Sequence, residues 1–158
     1  MKNELQNIDD TFAETYAGDP WFGRNVKKIL SEITVEEAVQ KPNGQHSILE
    51  LLYHMINWRE FTISRLLPEK GKTSDYFGTN DWVDLDHSDK ILWKKGLKRL
   101  EKTQHDLLEL IKGLEKEKLK EIVFERKYDF KYLLHGVIQH DIYHIGQIAY
   151  VKKLLNQE

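Results

Sequence analysis

The chain lacks cysteine altogether, which excludes disulfide frameworks, zinc fingers, cysteine nucleophiles and iron–sulfur ligation at once. Histidine and carboxylate are left as the strong metal ligands. No charge of one sign dominates: Lys and Arg total 24 against 26 Asp and Glu, a net charge of −2, which argues against a domain built to hold nucleic acid. No apolar run approaches the ~20 residues of a membrane span; Ile148-Ala149-Tyr150-Val151 is typical of the longest. The start, Met1-Lys2-Asn3-Glu4-Leu5, has no apolar signal core, so the expected setting is cytoplasmic, with no membrane partner. Also missing are a Gly-rich phosphate loop, a Gly-x-Ser-x-Gly nucleophile elbow and the Glu-x-x-His pair of di-iron bundles.

What is present suits one folded domain over residues 1–158. The length matches a single unit of ~150 residues. A composition of 40% hydrophobic and 32% charged residues belongs to a globular chain.

Proline is scarce, and each of the 3, Pro20, Pro42 and Pro68, sits beside other breakers. Helical periodicity fills most of the space between them. Asp19 and Pro20 read as the start of a helix with Phe22, Val26, Ile29, Leu30 and Ile33 on its apolar stripe. Residues 4–16 suggest a helical turn or two before it. Thr34-Val35-Glu36-Glu37 and Ser47-Ile48-Leu49-Glu50 have the form of capping boxes. The second opens a helix reaching about residue 67, before Pro68. A third main helix is predicted near 88–112, with Trp93, Leu97, Leu100, Leu107 and Ile111 on one stripe, and a fourth over 130–155. The fold expected is all-α, a four-helix bundle of antiparallel type. A long loop over 67–87, between the second and third main helices, reads as a crossover that can also bring Trp82 over one end. Residues 113–129 read as a solvated helix extension and a turn.

Among the 7 histidines, three fall on apolar stripes. Leu51, His54, Trp58 and Phe61 follow one helical face. Leu133, Val137, His140, His144, Ile148 and Val151 follow another, with His140 and His144 four apart and ~6 Å between their Cβ atoms. Arg59 and Glu60 lie off the first stripe's centre; His135, His105 and His87 point elsewhere. A single inward histidine is an ordinary core residue. Two on one buried face incur desolvation twice, and a third from another helix makes a shared metal the simpler account. Neutral imidazoles bind Zn²⁺, Ni²⁺, Cu²⁺ or Fe²⁺, and a three-histidine set leaves positions for water or substrate. His140-Asp141-Ile142-Tyr143-His144 resembles the zincin helix, but Asp141 stands where the longer Glu belongs and too little chain follows for a downstream ligand.

Several segments together resemble the DinB/YfiT superfamily, the small damage-inducible helical bundles unrelated to the polymerase of that name. They are Asp19-Pro20-Trp21-Phe22-Gly23, Gln45-His46-Ser47-Ile48 leading to His54 and Trp58, and Leu134-His135-Gly136 through His140-Asp141-Ile142-Tyr143-His144-Ile145-Gly146-Gln147-Ile148. The resemblance implies a four-helix bundle, often a homodimer, with a divalent metal (zinc or nickel) held by His54, His140 and His144. It also implies chemistry with bacillithiol, mycothiol or a similar small thiol, as in the S-transferases and maleylpyruvate isomerase of that family. Phe22 departs from the pattern, since close relatives often carry His after the Pro-Trp pair.

The function expected is therefore a metal-dependent transferase joining a low-molecular-weight thiol to a small electrophile. The alternatives are a metal-dependent hydrolase and a non-catalytic metal-binding stress-response module. No general acid or base is assignable; Tyr53, Tyr143, Asp141 and Gln147 are only helical neighbours of the three histidines.

Overall fold

The computed structural model describes residues 3–67, 69 and 71–156. It contains α1 (Glu4–Ala17), α2 (Val26–Ser31), α3 (Val35–Val39), α4 (Ile48–Leu66), α5 (Ser74–Thr79), α6 (Ile91–Lys112) and α7 (Phe130–Leu155). A 3-10 turn, Lys116–Lys120, precedes α7. The long elements α1, α4, α6 and α7 form the bundle. Both capping boxes are present: the Thr34 and Ser47 oxygens accept from the Glu37 and Glu50 amides, and those carboxylates accept in return. Pro68 lies outside the described residues.

The first wall of the bundle is not the helix expected after Asp19. It is α1, which buries Leu5, Ile8, Phe12 and Tyr16 along one face and is opened by a capping box between Asn3 and Gln6. Gly18 ends α1, and a Cβ there would stand 2.7 Å from the Glu14 Cα. Residues 20–24 then turn rather than coil, helped by Gly23 at φ +112°, a value that other residues resist. Asn25, not Asp19, caps α2, accepting from the Lys28 amide at 2.8 Å while its own amide donates to the Gly18 carbonyl at 2.7 Å. Val26, Ile29, Leu30 and Ile33 are buried as their spacing suggests, but Phe22 is largely exposed.

The bundle is not antiparallel throughout, and the 67–87 segment is the crossover that its length suggests. Tyr53 donates to the Leu92 carbonyl near the start of α4, and Arg99 pairs with Glu60 further along, so α4 and α6 run parallel. Gly96 permits their close approach: a Cβ there would meet Leu52 Cδ2 at 2.8 Å and Tyr53 Cε2 at 2.9 Å. α7 runs antiparallel to α4, and α1 packs between α6 and α7, leaving α1/α4 and α6/α7 as the diagonals. A parallel pair needs a return connection, which is why residues 67–90 are long and carry α5. Residues 113–129 are not a solvated extension. Leu119 and Val123 are buried, and an antiparallel bridge joins Ile122 to Asp129.

Across the bundle's middle, a polar belt separates two apolar clusters. One cluster gathers Leu51, Leu52, Met55, Trp93, Leu100, Ile145 and Ile148; the other gathers Phe12, Phe61, Leu107, Val137 and Ile138. Between them lie His54, Arg59, Thr103, Gln104, Asp141 and His144, all buried. Arg59 is its hub, donating from Nε and Nη2 to Asp141 Oδ2 at 2.9 and 2.7 Å. Its guanidinium also stands 5.1 Å from the Phe12 ring centre and 5.3 Å from that of Tyr16. The stripe reading sets Arg59 off the centre of the core face; its neutralising partner on α7 lets it be buried there. Burial pushes the Asp141 carboxyl up, and the charge and hydrogen bonds of Arg59 act against that push.

Candidate metal centre

Two helices carry the cluster. α4 presents His54, and α7 presents His140 and His144 one turn apart. Because α4 and α7 are antiparallel, position 54 falls beside 140 and 144, while 59 falls beside 141. One side-chain nitrogen from each histidine lies within 4.8 Å of the other two. His54 Nε2 and His140 Nε2 stand 3.0 Å apart. Among the described residues, this is the group of histidines and carboxylates arranged to hold a metal ion.

Second contacts orient the rings. His54 Nδ1 lies 2.9 Å from the Asp81 carbonyl oxygen. A carbonyl only accepts, so Nδ1 carries the proton of that contact and Nε2 turns to the cluster with a lone pair. The Asp81 carboxylate stands 3.1 Å from the same Nδ1 and accepts from Trp58 Nε1 at 2.6 Å. His144 Nδ1 donates to Gln147 Oε1 at 2.6 Å, which likewise leaves its Nε2 unprotonated. His140 Nδ1 is buried without a hydrogen-bond partner.

These contacts allow the fit of a cation to be tested. If His140 carries its proton on Nδ1, that proton has no acceptor and two bare Nε2 atoms face each other. If it carries the proton on Nε2, the buried Nδ1 lone pair has no donor. A divalent cation among the Nε2 atoms removes the repulsion in the first case, and three neutral nitrogen donors suit zinc or nickel. Burial, with the charges of His144, His54 and Arg59, lowers His140 to about 3. Burial and then His54 lower His144 to about 4, against the opposing Gln147 hydrogen bond. Both rings are therefore neutral near pH 7, the state that ligation requires.

The return connection roofs the site. Trp82 is sandwiched between two imidazoles, its ring centre 3.8 Å from that of His46 and 4.0 Å from that of His54, with planes within 8°. The 67–87 segment thus serves both as crossover and as cover. One cavity reaches the cluster, and a second lies beside the residues that flank it. The first, of about 150 Å³, ends at His140 among Trp58, Phe61, Tyr128 and Val137. The other, about 720 Å³, runs past His46, Tyr143 and Gln147, which touch the roof or His144 directly.

The sequence reading placed the three histidines on facing stripes, and the fold brings them together. His105 is exposed, His87 meets Ser47 Oγ at 3.0 Å, and His135 meets Glu4 at 3.1 Å, all outside the cluster. Asp141 is neither a surface residue nor a base beside the cluster; Arg59 holds it in the core, which removes the zincin reading. Asp81 was not singled out. An acidic residue directly before an aromatic in an otherwise irregular stretch was its sole local signal.

No match is found among curated proteins or among solved structures. The profile of the DinB superfamily matches residues 21–148, from the turn after α1 to the last buried turns of α7, and so spans His54, His140 and His144. With a helical bundle and a buried histidine triad in the matched span, the chain belongs to the DinB superfamily.

Proposed function

We propose that this protein is a divalent-metal-dependent transferase that joins a low-molecular-weight thiol of the bacillithiol type to an electrophilic small molecule. The observation that carries the reading is the convergence of three imidazoles from two helices, with His54 and His144 each fixed to present Nε2. His54, His140 and His144 are the proposed ligands. When bound there, a divalent cation supplies Lewis acidity and lowers the pKa of a thiol, making the nucleophile available at neutral pH.

The chain's own residues supply orientation and access. Asp81 and Gln147 hold the rings of His54 and His144, and Trp82 keeps bulk water off one face of His54. Three protein ligands, rather than the four of closed structural sites, leave room for a reactant. The two cavities support a reaction of two partners. The larger one offers the amides of Asn43, Gln45 and Gln147 to a polar thiol. The smaller one is walled by aromatic rings. The homodimer is part of the proposal, supported by exposed aromatic residues away from both cavities, Trp21 and Phe124.

Elemental mass spectrometry on untagged protein, beside His54→Ala, tests the ligand set. About one divalent metal per chain, lost in the variant, is expected. Turnover of a model alkyl halide or epoxide with added bacillithiol, absent in the variant, separates the transferase from a hydrolase or a non-catalytic binder. A metal-loaded protein inert across such a panel rejects the transferase.

A further inference from the structure

The smaller cavity has a composition unlike the rest of the cluster's surroundings. Trp58, Phe61 and Thr62 of α4 form one wall and the 133–140 stretch of α7, with Gly136 and His140, another; Tyr128 and the exposed Tyr132 stand at its open side. No charged side chain lines it. The Thr62 hydroxyl is already spent within its helix, donating to the Trp58 carbonyl at 3.0 Å. An ion entering here would lose water with no charged partner to meet it, only tyrosine hydroxyls and the His140 ring, at a cost of several kcal/mol. An uncharged apolar group loses nothing of that kind and gains contact with aromatic faces.

Size narrows the class further. The cavity measures about 150 Å³ and opens to the surface, so it has room for one benzene-sized group while the rest of a molecule extends outward. Gly136 sits in its wall, and a Cβ at that position meets no atom within 4 Å. The missing side chain is thus part of the cavity, not a requirement of helix packing. A glycine inside a helix costs roughly 1 kcal/mol relative to alanine, and nothing in the packing here demands it.

We propose that this cavity is the seat of one neutral, benzene-sized apolar group of the electrophilic substrate, with His140 at the end where the reacting carbon arrives. The inference rests on the histidine cluster being the reaction centre, and it adds the class of electrophile: uncharged, with a single small ring or its aliphatic equivalent. The polar cavity on the Gln147 side is left to the thiol. Gly136 then determines specificity by its absence of bulk.

Toluene is the probe, since it has the shape of the group and cannot react. Its binding is measured by saturation-transfer NMR on the full chain, metal-free and metal-loaded, for wild type, Gly136→Leu and Thr62→Leu. Thr62→Leu enters from the opposite wall and serves if the first variant is poorly folded. The expected result is saturable binding to wild type, weakened at least tenfold in each folded variant, with metal content unchanged. Absence of toluene binding to wild type, or binding that neither variant weakens, overturns the proposal. Because the cavity lies in the chain itself, toluene binding by a protein that takes up no metal retains the cavity and rejects only its role beside a metal. Metal uptake without toluene binding does the reverse.

Discussion

His54 and Asp81 are joined twice: the imidazole Nδ1 lies 2.9 Å from the Asp81 carbonyl oxygen and 3.1 Å from its carboxylate. The same carboxylate accepts from Trp58 Nε1 at 2.6 Å. A residue of the return connection thereby fixes the ring of an α4 histidine and ties the roof to the helix below it. Partners of this kind raise the basicity of a ligating imidazole and hold its tautomer.

Asp81→Ala is expected to keep the fold and weaken zinc binding by about 10- to 100-fold, the usual cost of losing such a partner. The carbonyl contact persists in the variant, so the lower part of that range applies. Asp81→Asn, which can still accept one hydrogen bond, should fall between. Competition titration against a chromogenic chelator reads the change. Unaltered affinity in Asp81→Ala would show that the carboxylate serves Trp58 alone.

The helices and the histidine stripes were legible because they rest on local periodicity. α7 matches its expected span, and the Ser47 box appears as its spacing suggests. What escaped depends on partners remote in sequence. Arg59 meets Asp141 across 82 positions, and His54 meets Asp81 across 27. A charged residue reads as solvent-facing until its counter-ion is placed, and no spacing rule places it. Leu5, Ile8, Phe12 and Tyr16 have helical spacing, but the Asp19-Pro20 signal sets the helix start downstream and leaves room for only a turn or two before it. Gly23 and the Asn25 cap defeat that signal.

Acid should destabilise the metal-free protein in a definite window. His140 and His144 titrate near 6.5 when unfolded but at about 3 and about 4 when folded. Below pH ~6.5 the unfolded chain therefore binds more protons than the folded one, and stability falls as pH falls. The contribution is whole above that value and is lost progressively towards the folded values. Unperturbed carboxylates titrate near ~4, so the interval from about pH 6.5 to 5 chiefly reports imidazoles. Urea midpoints across it should decline in wild type and decline less in a His140→Phe/His144→Phe variant. Equal slopes in the two proteins would place the acid sensitivity elsewhere.

Breaking the Arg59–Asp141 pair should be among the most damaging single changes. Both side chains are only 1% exposed. Removal of either leaves a buried charge without its partner, a loss of about 3–5 kcal/mol. Arg59→Met is expected to lower the urea midpoint accordingly, and Asp141→Leu in the same chain should restore much of it. A double variant no better than the worse single one would mean that packing around the guanidinium, over Phe12 and Tyr16, outweighs the charge.

Trp82 supplies a spectroscopic handle on the same centre. Its ring lies parallel to His54 at 4.0 Å, so a transition-metal ion held by that imidazole sits close to an indole. Nickel is expected to quench tryptophan emission in wild type as the ion titrates. Trp82→Phe keeps an aromatic face against His54 and should retain affinity within a few-fold while losing part of the quenching. Trp82→Ala removes the stacked contact on both His46 and His54 and opens one face of the ring to water. That variant should release nickel to a chelator faster than Trp82→Phe, because an aromatic contact worth about 0.5–1.5 kcal/mol no longer holds the roof down. If Trp82→Ala and Trp82→Phe release the ion at the same rate, the indole covers the site without gating it. Release from Trp82→Ala at the wild-type rate would further mean that the other ties of the return connection, Asp81 to His54 and the Phe77 carbonyl to Asn57, suffice to keep it in place.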